Sequence, residues 1–185
     1  MNKNIIDTGF NKLIKSRHGF LSYNKNDMYI GKSIEKYGEF SYLEAKLFEQ
    51  ICKDGDIVIE VGANIGAHTL YLSKLVGNGF VIAYEPQRLV FQNLCANLAL
   101  NSISNVFAYQ EAVSNENGTI IIPECNFKEN NNFGGINIEN TKNGTTVNRQ
   151  KLDNFLNKID RLKLLKIDVE GMEILVIKGA KELID

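Results

Sequence analysis

The chain has 185 residues, 44% hydrophobic and 23% charged, with a formal net charge of −1. That length buries a substantial core as one domain, and the near-neutral balance gives no basic field for nucleic acid or an anionic membrane surface. Cys52, Cys95 and Cys125 stand far apart with no C-x-x-C pair, so they read as reduced packing thiols of a cytoplasmic protein.

In chain order, residues 1–40 form a lead-in without the apolar run of a signal peptide, and no later segment is long enough to span a bilayer. Within the lead-in, "GFLSYNKNDMYIG" predicts a hairpin turning at Asn24 to Asp27, and His18 reads as a surface residue. From about residue 42, strand-like and helix-like patterns alternate, the signature of a parallel sheet with crossover helices. "SYLEAKLFEQI" predicts a helix with Ser41 as N-cap and Glu44 three residues on. "IVIEV" is a strand, and "AHTLYLSKLV" a helix ending before Gly77. "FVIAYE" is a second buried strand, after which Pro86 suits the first turn of "QRLVFQNLCANLAL".

"NVFAYQEAV" supplies a third strand. Residues 114–150 then read as a β-rich excursion over the sheet, with "NGTIIIPE", a mobile asparagine-rich loop "NFKENNNFGG" and a strand "GTTVNRQ". The asparagines read as composition, not a functional tract. "LKLLKIDV" is a fourth strand and "GMEILVIKGAKELI" one helix. Residues 41–185 thus form one α/β domain. Its fourth strand is left as an open edge, through which a second copy can pair to give a homo-oligomer.

The candidate site begins at "DIVIEVGANIGAHTLYLSKL". The glycines at 62 and 66 fit neither G-x-G-x-x-G nor the P-loop pattern. Glu60 at the strand end repels a pyrophosphate but attracts the ammonium and sulfonium of S-adenosylmethionine. Glu85 ends the next strand, 19 positions past Gly66, where a carboxylate grips both hydroxyls of a ribose. The plainer alternative makes each carboxylate a helix cap; two acidic strand ends around one glycine turn favour the cofactor.

The segments "YIGKSIEKYGEFSYLE", "DIVIEVGANIGAHTLYLS", "VIAYEPQ", "EAVSNENGTI" and "LLKIDVEGMEILVIKGA" resemble the FkbM-type methyltransferases, a Rossmann-like class I, S-adenosylmethionine-dependent family. The resemblance implies a three-layer, mostly parallel sheet whose C-terminal strands are missing here. It also implies methyl transfer to a hydroxyl of a glycan or natural-product acceptor. By matching motifs it assigns Glu60, Gly62, Ala63, Asn64 and Gly66 to the methionine and ribose part of the cofactor. His68 and Thr69 open the following helix, Glu85 and Pro86 hold the ribose, and Glu111 and Ala112 lie near the adenine. Tyr37, Gly38, Glu39 and Ser41 form a front segment over the methionine end.

Methyl transfer to a hydroxyl gains from a group that removes or orients the proton. "IDVEGME" offers Asp168 first and Glu170 and Glu173 next, although the two glutamates also suit a helix N-terminus. The same oxygens suit Mg²⁺, but further ligands would come from a strand end this chain lacks, so no metal is expected. Lys166 reads as an ion-paired or snorkelling lysine; the asparagine-rich loop and "FGG" at Phe133 to Gly135 match a variable region of the family over the site, and read as acceptor contacts or a disordered surface loop. Two other classes stay open: a binding remnant or assembly partner that holds S-adenosylmethionine without catalysis, and a nucleotide-dependent oxidoreductase, which the missing G-x-G-x-x-G disfavours.

Overall fold

The computed structural model describes residues 4–136 and 143–185. Strands β1 (Asn4–Thr8), β2 (Asn11–Ser16) and β3 (Gly19–Asn24) form an antiparallel meander, followed by helices α1 (Ile30–Tyr37) and α2 (Tyr42–Ile51). The core then alternates β4 (Ile57–Val61), α3 (Thr69–Val76), β5 (Phe80–Tyr84), α4 (Arg88–Leu100) and β6 (Val106–Tyr109). Short strands β7 (Ala112–Val113), β8 (Gly118–Ile122) and β9 (Thr145–Gln150) build a second small sheet in the order β7-β9-β8. The chain returns to the core with β10 (Leu162–Ile167), α5 (Glu173–Lys178) and α6 (Lys181–Ile184).

The central sheet is parallel in the order β10-β4-β5-β6. Both faces are covered, which is why its strands read as unbroken apolar runs. Ile59, Val61, Ile82 and Tyr84 pack with Val176 and Ala180 on one side. Val58 and Val81 pack with Phe48, Leu72 and Val76 on the other. The order runs outward from β4 in both directions, so the connection reverses between β4 and β10. A crevice outside the carboxyl ends of these strands is the expected ligand position.

Several expectations change. The hairpin predicted at residues 19–31 is absent. Asn24 ends β3, and its would-be partner strand opens α1 instead, because Asp27 Oδ1 accepts the amides of Tyr29 (2.9 Å) and Ile30 (3.0 Å). β3 pairs backwards with β2, and its other side is docked on α4: Asn97 accepts from Ser22 N (2.6 Å) and donates to Ser22 O (2.9 Å) and Ile65 O (2.8 Å). The third strand breaks at Gln110–Glu111, and Ala112–Val113 crosses to pair with Arg149–Gln150. The last helix is split at Gly179, where a Cβ would lie 2.0 Å from the Ser114 carbonyl oxygen.

The asparagine-rich loop is tied down between Phe127 and Phe133. Asn24 and Asn26 both donate to Phe127 O (2.9 and 3.0 Å), Met28 N donates to Asn131 O (2.9 Å), and Phe133 stacks on Phe127 at 4.6 Å. Its asparagines act as local backbone caps; Asn126 and Asn132 accept the amides of Lys128 and Gly135. Ser41 occupies the N-cap position of α2 with φ 49° but makes no side-chain cap. Cys95 is exposed, whereas His18 is largely buried, 4.1 Å from the Tyr71 ring.

Candidate active site

The turn after β4 is built by backbone geometry. Gly62 N and Ala63 N donate to Tyr84 O (3.0 and 2.9 Å), and φ is positive at Gly62 (83°), Asn64 (51°) and Gly66 (83°). A Cβ on Gly62 would lie 1.9 Å from the Asp168 carbonyl oxygen. Glycine is required there so that the β4 turn can pass the end of β10. Asn64 tolerates the left-handed region, and its Oδ1 accepts the amide of Ile65 (2.8 Å).

This turn floors a cleft of about 300 Å³ at the carboxyl ends of β4, β5 and β10. Gly62, Asn64, Glu85, Asp168 and Glu170 line it from the sheet; Tyr29 and Phe40 from the lead-in, and Asn132 and Gly134 from the asparagine-rich loop, line it from the other side. Beside it, Tyr84, Pro86, Glu111, Ala112, Val169 and Met172 enclose a narrow, mainly apolar slot. Gly62, Glu85, Pro86 and Asp168 border the small space between the two.

Glu85 is 3% exposed. Its Oε2 accepts the amide of Asn64 (3.0 Å) and its Oε1 that of Gln87 (2.8 Å). Burial pushes its pKa up to about 7 against the pull of those two amides, and the Glu60 charge adds to the rise. Glu111 accepts from the Gln150 amide, which turns this carboxylate toward the small sheet. Asp168 stands at the rim with its Oδ2 3.8 Å from Lys166 Nζ, and Glu170 follows at φ 49°.

Other expected residues lie elsewhere. Glu60 is 1% exposed and turned inward: Thr69 Oγ1 donates to its Oε2 (2.6 Å), and Lys166 Nζ lies 3.4 Å from its Oε1. Its charge is met by protein, not presented to the cleft. His68 is buried between Phe40 and Phe48, with Nε2 3.2 Å from Phe40 O. Burial holds its pKa below the usual imidazole value. Ala63 and Gly66 pack behind the turn, Gly66 against Leu94. Tyr37, Glu39 and Ser41 line a separate cleft of about 410 Å³ with Arg17 and Tyr42. There Glu39 pairs with Arg17 (3.2 Å) and lies 3.5 Å from His18 Nε2. Glu173 accepts the amides of Gly171 (3.1 Å) and Val169 (3.4 Å) and serves as a cap; its own backbone amide first, and these amides after it, lower its pKa.

Four cleft residues, Gln87, Tyr29, Ile30 and Phe40, escaped the sequence reading as site residues. Gln87 holds both Glu85, through its amide, and Phe133 O, through Nε2 (2.8 Å); its place beside "EP" was the available signal. Tyr29, Ile30 and Phe40 were not marked, since tertiary pairing of the lead-in with the loop brings this wall in, whereas Asn132 and Gly134 lie in the loop where acceptor contacts were expected. Among the described residues no group of three metal-ligating side chains converges, and no helix is long and apolar enough to cross a membrane.

A ribose diol and a flat base fit this arrangement. An ionised carboxylate has about four acceptor positions, and the two protein amides leave two on Glu85 for adjacent hydroxyls. The apolar slot beside the glycine turn offers a surface for a flat base, and the turn lacks the phosphate-cradling glycine pattern of a pyrophosphate site. Parallel sheet, switch-point cleft and acidic second strand end together define a Rossmann-like site for a ribose-bearing cofactor.

Residues 60–185 match the model of the methyltransferase FkbM domain. The chain belongs to the FkbM methyltransferase family, whose methyl donor is S-adenosylmethionine. It is 26% identical over 181 residues to methyltransferase sdnD of Sordaria araneosa, covering 78% of this chain and 70% of that protein. It is 25% identical over 167 residues to methyltransferase 1 of Beauveria bassiana (strain ARSEF 2860), covering 76% and 67%. Among solved structures, M. jannaschii TYW2 in complex with AdoMet is 20% identical with a TM-score of 0.45; the match covers 60% of this chain and spans 54% of that one.

Proposed function

We propose that the chain methylates a hydroxyl group on a glycan or natural-product acceptor. The observation that supports this most is Asp168: a carboxylate, 57% exposed, shares one cleft with the glycine turn and Glu85. Bound in this cleft, S-adenosylmethionine supplies a methyl group already activated on a sulfonium, so alignment provides much of the rate. Glu85 holds the ribose diol, and the slot of Tyr84, Pro86, Ala112 and Met172 takes the adenine. Asp168 orients the acceptor hydroxyl and takes its proton, with Glu170 beside it on the rim. Tyr29 and Phe40 offer ring faces and Asn132 an amide, a mixture suited to a ligand with both apolar and hydroxylated surfaces.

The test is transfer of labelled methyl from S-adenosylmethionine across a panel of sugars, glycans and hydroxylated small molecules. Asp168→Asn is expected to lower turnover by about 100-fold or more while S-adenosylhomocysteine affinity stays within about threefold, since Asp168 is assigned to the acceptor. Unchanged turnover in that variant, or a product methylated on nitrogen or sulfur, contradicts the reading.

A further inference from the structure

We infer that Lys166 is a specificity residue for the charge of the methyl donor: beneath the cleft it cancels the field of Glu60, so that the cationic donor is not held far more tightly than its neutral product. The inference rests on the function proposed above and assigns a role to a residue that this function leaves unused.

The parallel ladder sets Lys166 on β10 directly against Glu60 on β4. The two side chains are 9% and 1% exposed, with Nζ 3.4 Å from Oε1. Thr69 donates to Oε2, and among the described residues Oε1 has no hydrogen-bond donor, so the Lys166 ammonium meets it as an ion pair without a hydrogen bond. Each charge stands two residues before a residue that lines the cleft, Gly62 on one strand and Asp168 on the other. The field of the pair reaches the ligand-facing groups: Glu60 raises and Lys166 lowers the pKa of Glu85. A lone carboxylate here would attract a sulfonium; the buried pair presents almost no net charge. Asp168 and Glu170 remain at the rim to face the acceptor.

S-adenosylmethionine and S-adenosylhomocysteine share the adenosine and the amino acid and differ in the charge on sulfur. The ratio of their dissociation constants therefore isolates what the pocket's field does to that one charge. A pair that merely satisfies the core would, when broken, weaken both ligands alike and leave the ratio unmoved. A pair that sets the field moves the ratio in opposite directions, depending on which partner is removed.

The experiment is calorimetric titration of the full chain with each ligand at one pH and low salt, for wild type, Lys166→Met, Glu60→Gln, the double variant and Lys166→Arg. Removal of Lys166 is expected to shift the ratio about tenfold toward the cationic donor, and removal of Glu60 about tenfold away from it. This is the effect of one unit charge at about 10 Å under an effective dielectric near 20. The double variant and Lys166→Arg should return to within about threefold of wild type. If Lys166→Met does not fold, Glu60→Gln carries the test alone. Ratios that do not move overturn the inference and leave the methyltransferase reading standing. A folded wild type that binds neither ligand overturns both.

Discussion

A carboxyl group that is 3% exposed keeps its charge only where donors replace lost water, and Glu85 has two amides for this purpose. They do not fully compensate. Its folded-state pKa near 7 lies above the ordinary 4.5, so folding favours the neutral acid. The stability from this group is fully present below about pH 4.5 and is lost as pH rises through about 7. The loss is on the order of 3 kcal/mol, because each tenfold change in proton affinity is worth about 1.4 kcal/mol. Urea titrations at pH 5 and pH 8 should show wild type losing that much relative to Glu85→Gln; parallel behaviour of the two proteins would refute it. Gly62 makes a different demand. Alanine there combines positive φ with a Cβ 1.9 Å from a backbone oxygen, so Gly62→Ala should destabilise by roughly 2 kcal/mol or more, measured by the same titration. The glycine and both strand-end glutamates were visible in the sequence, but the orientation of Glu60 was not. Its partner Lys166 lies 106 positions away, and only strand register brings them together.

At the scale of elements, the cleft wall contributed by α1 depends on one cap. Asp27 is buried and receives the amides of Tyr29 and Ile30, while its neighbours are tied to the asparagine-rich loop. Asp27→Ala should cost about 1–2 kcal/mol and speed amide exchange in Ile30–Tyr37 above the rest of the chain. Uniform exchange would mean the cap is not what holds the helix. Periodicity predicted β4, α3, β5 and β10 well because each carries a strong apolar pattern and a clear stop. It failed where partner choice decides. Residues 106–113 have one continuous strand pattern, yet β9 captures its last two residues. Residues 172–184 have one helical pattern, yet Gly179 lets the chain close on Ser114 and breaks it. The loop asparagines carried a readable capping chemistry, hidden by their abundance.

Across the whole molecule, the lead-in meander is joined to the parallel core through Asn97, whose side chain is fully buried and makes three hydrogen bonds to backbone. Asn97→Ala leaves two carbonyls and one amide short of a partner and should cost roughly 2–3 kcal/mol or more. Tyrosine fluorescence and far-UV circular dichroism should still report one coincident unfolding transition, because β3 and α4 share a core; two separated transitions would show that the meander folds apart. This coupling also makes the cleft a joint product of lead-in, loop and sheet, which explains why Tyr29 and Phe40 were illegible as site residues. The central claim is that the crevice between β4, β5 and β10 holds S-adenosylmethionine through Glu85. Calorimetric titration of the chain with S-adenosylhomocysteine, with NAD as control, tests it most directly. Binding of the former alone, lost in Glu85→Ala, is the expected result. Binding of NAD instead, or S-adenosylhomocysteine binding unchanged in Glu85→Ala, would contradict it.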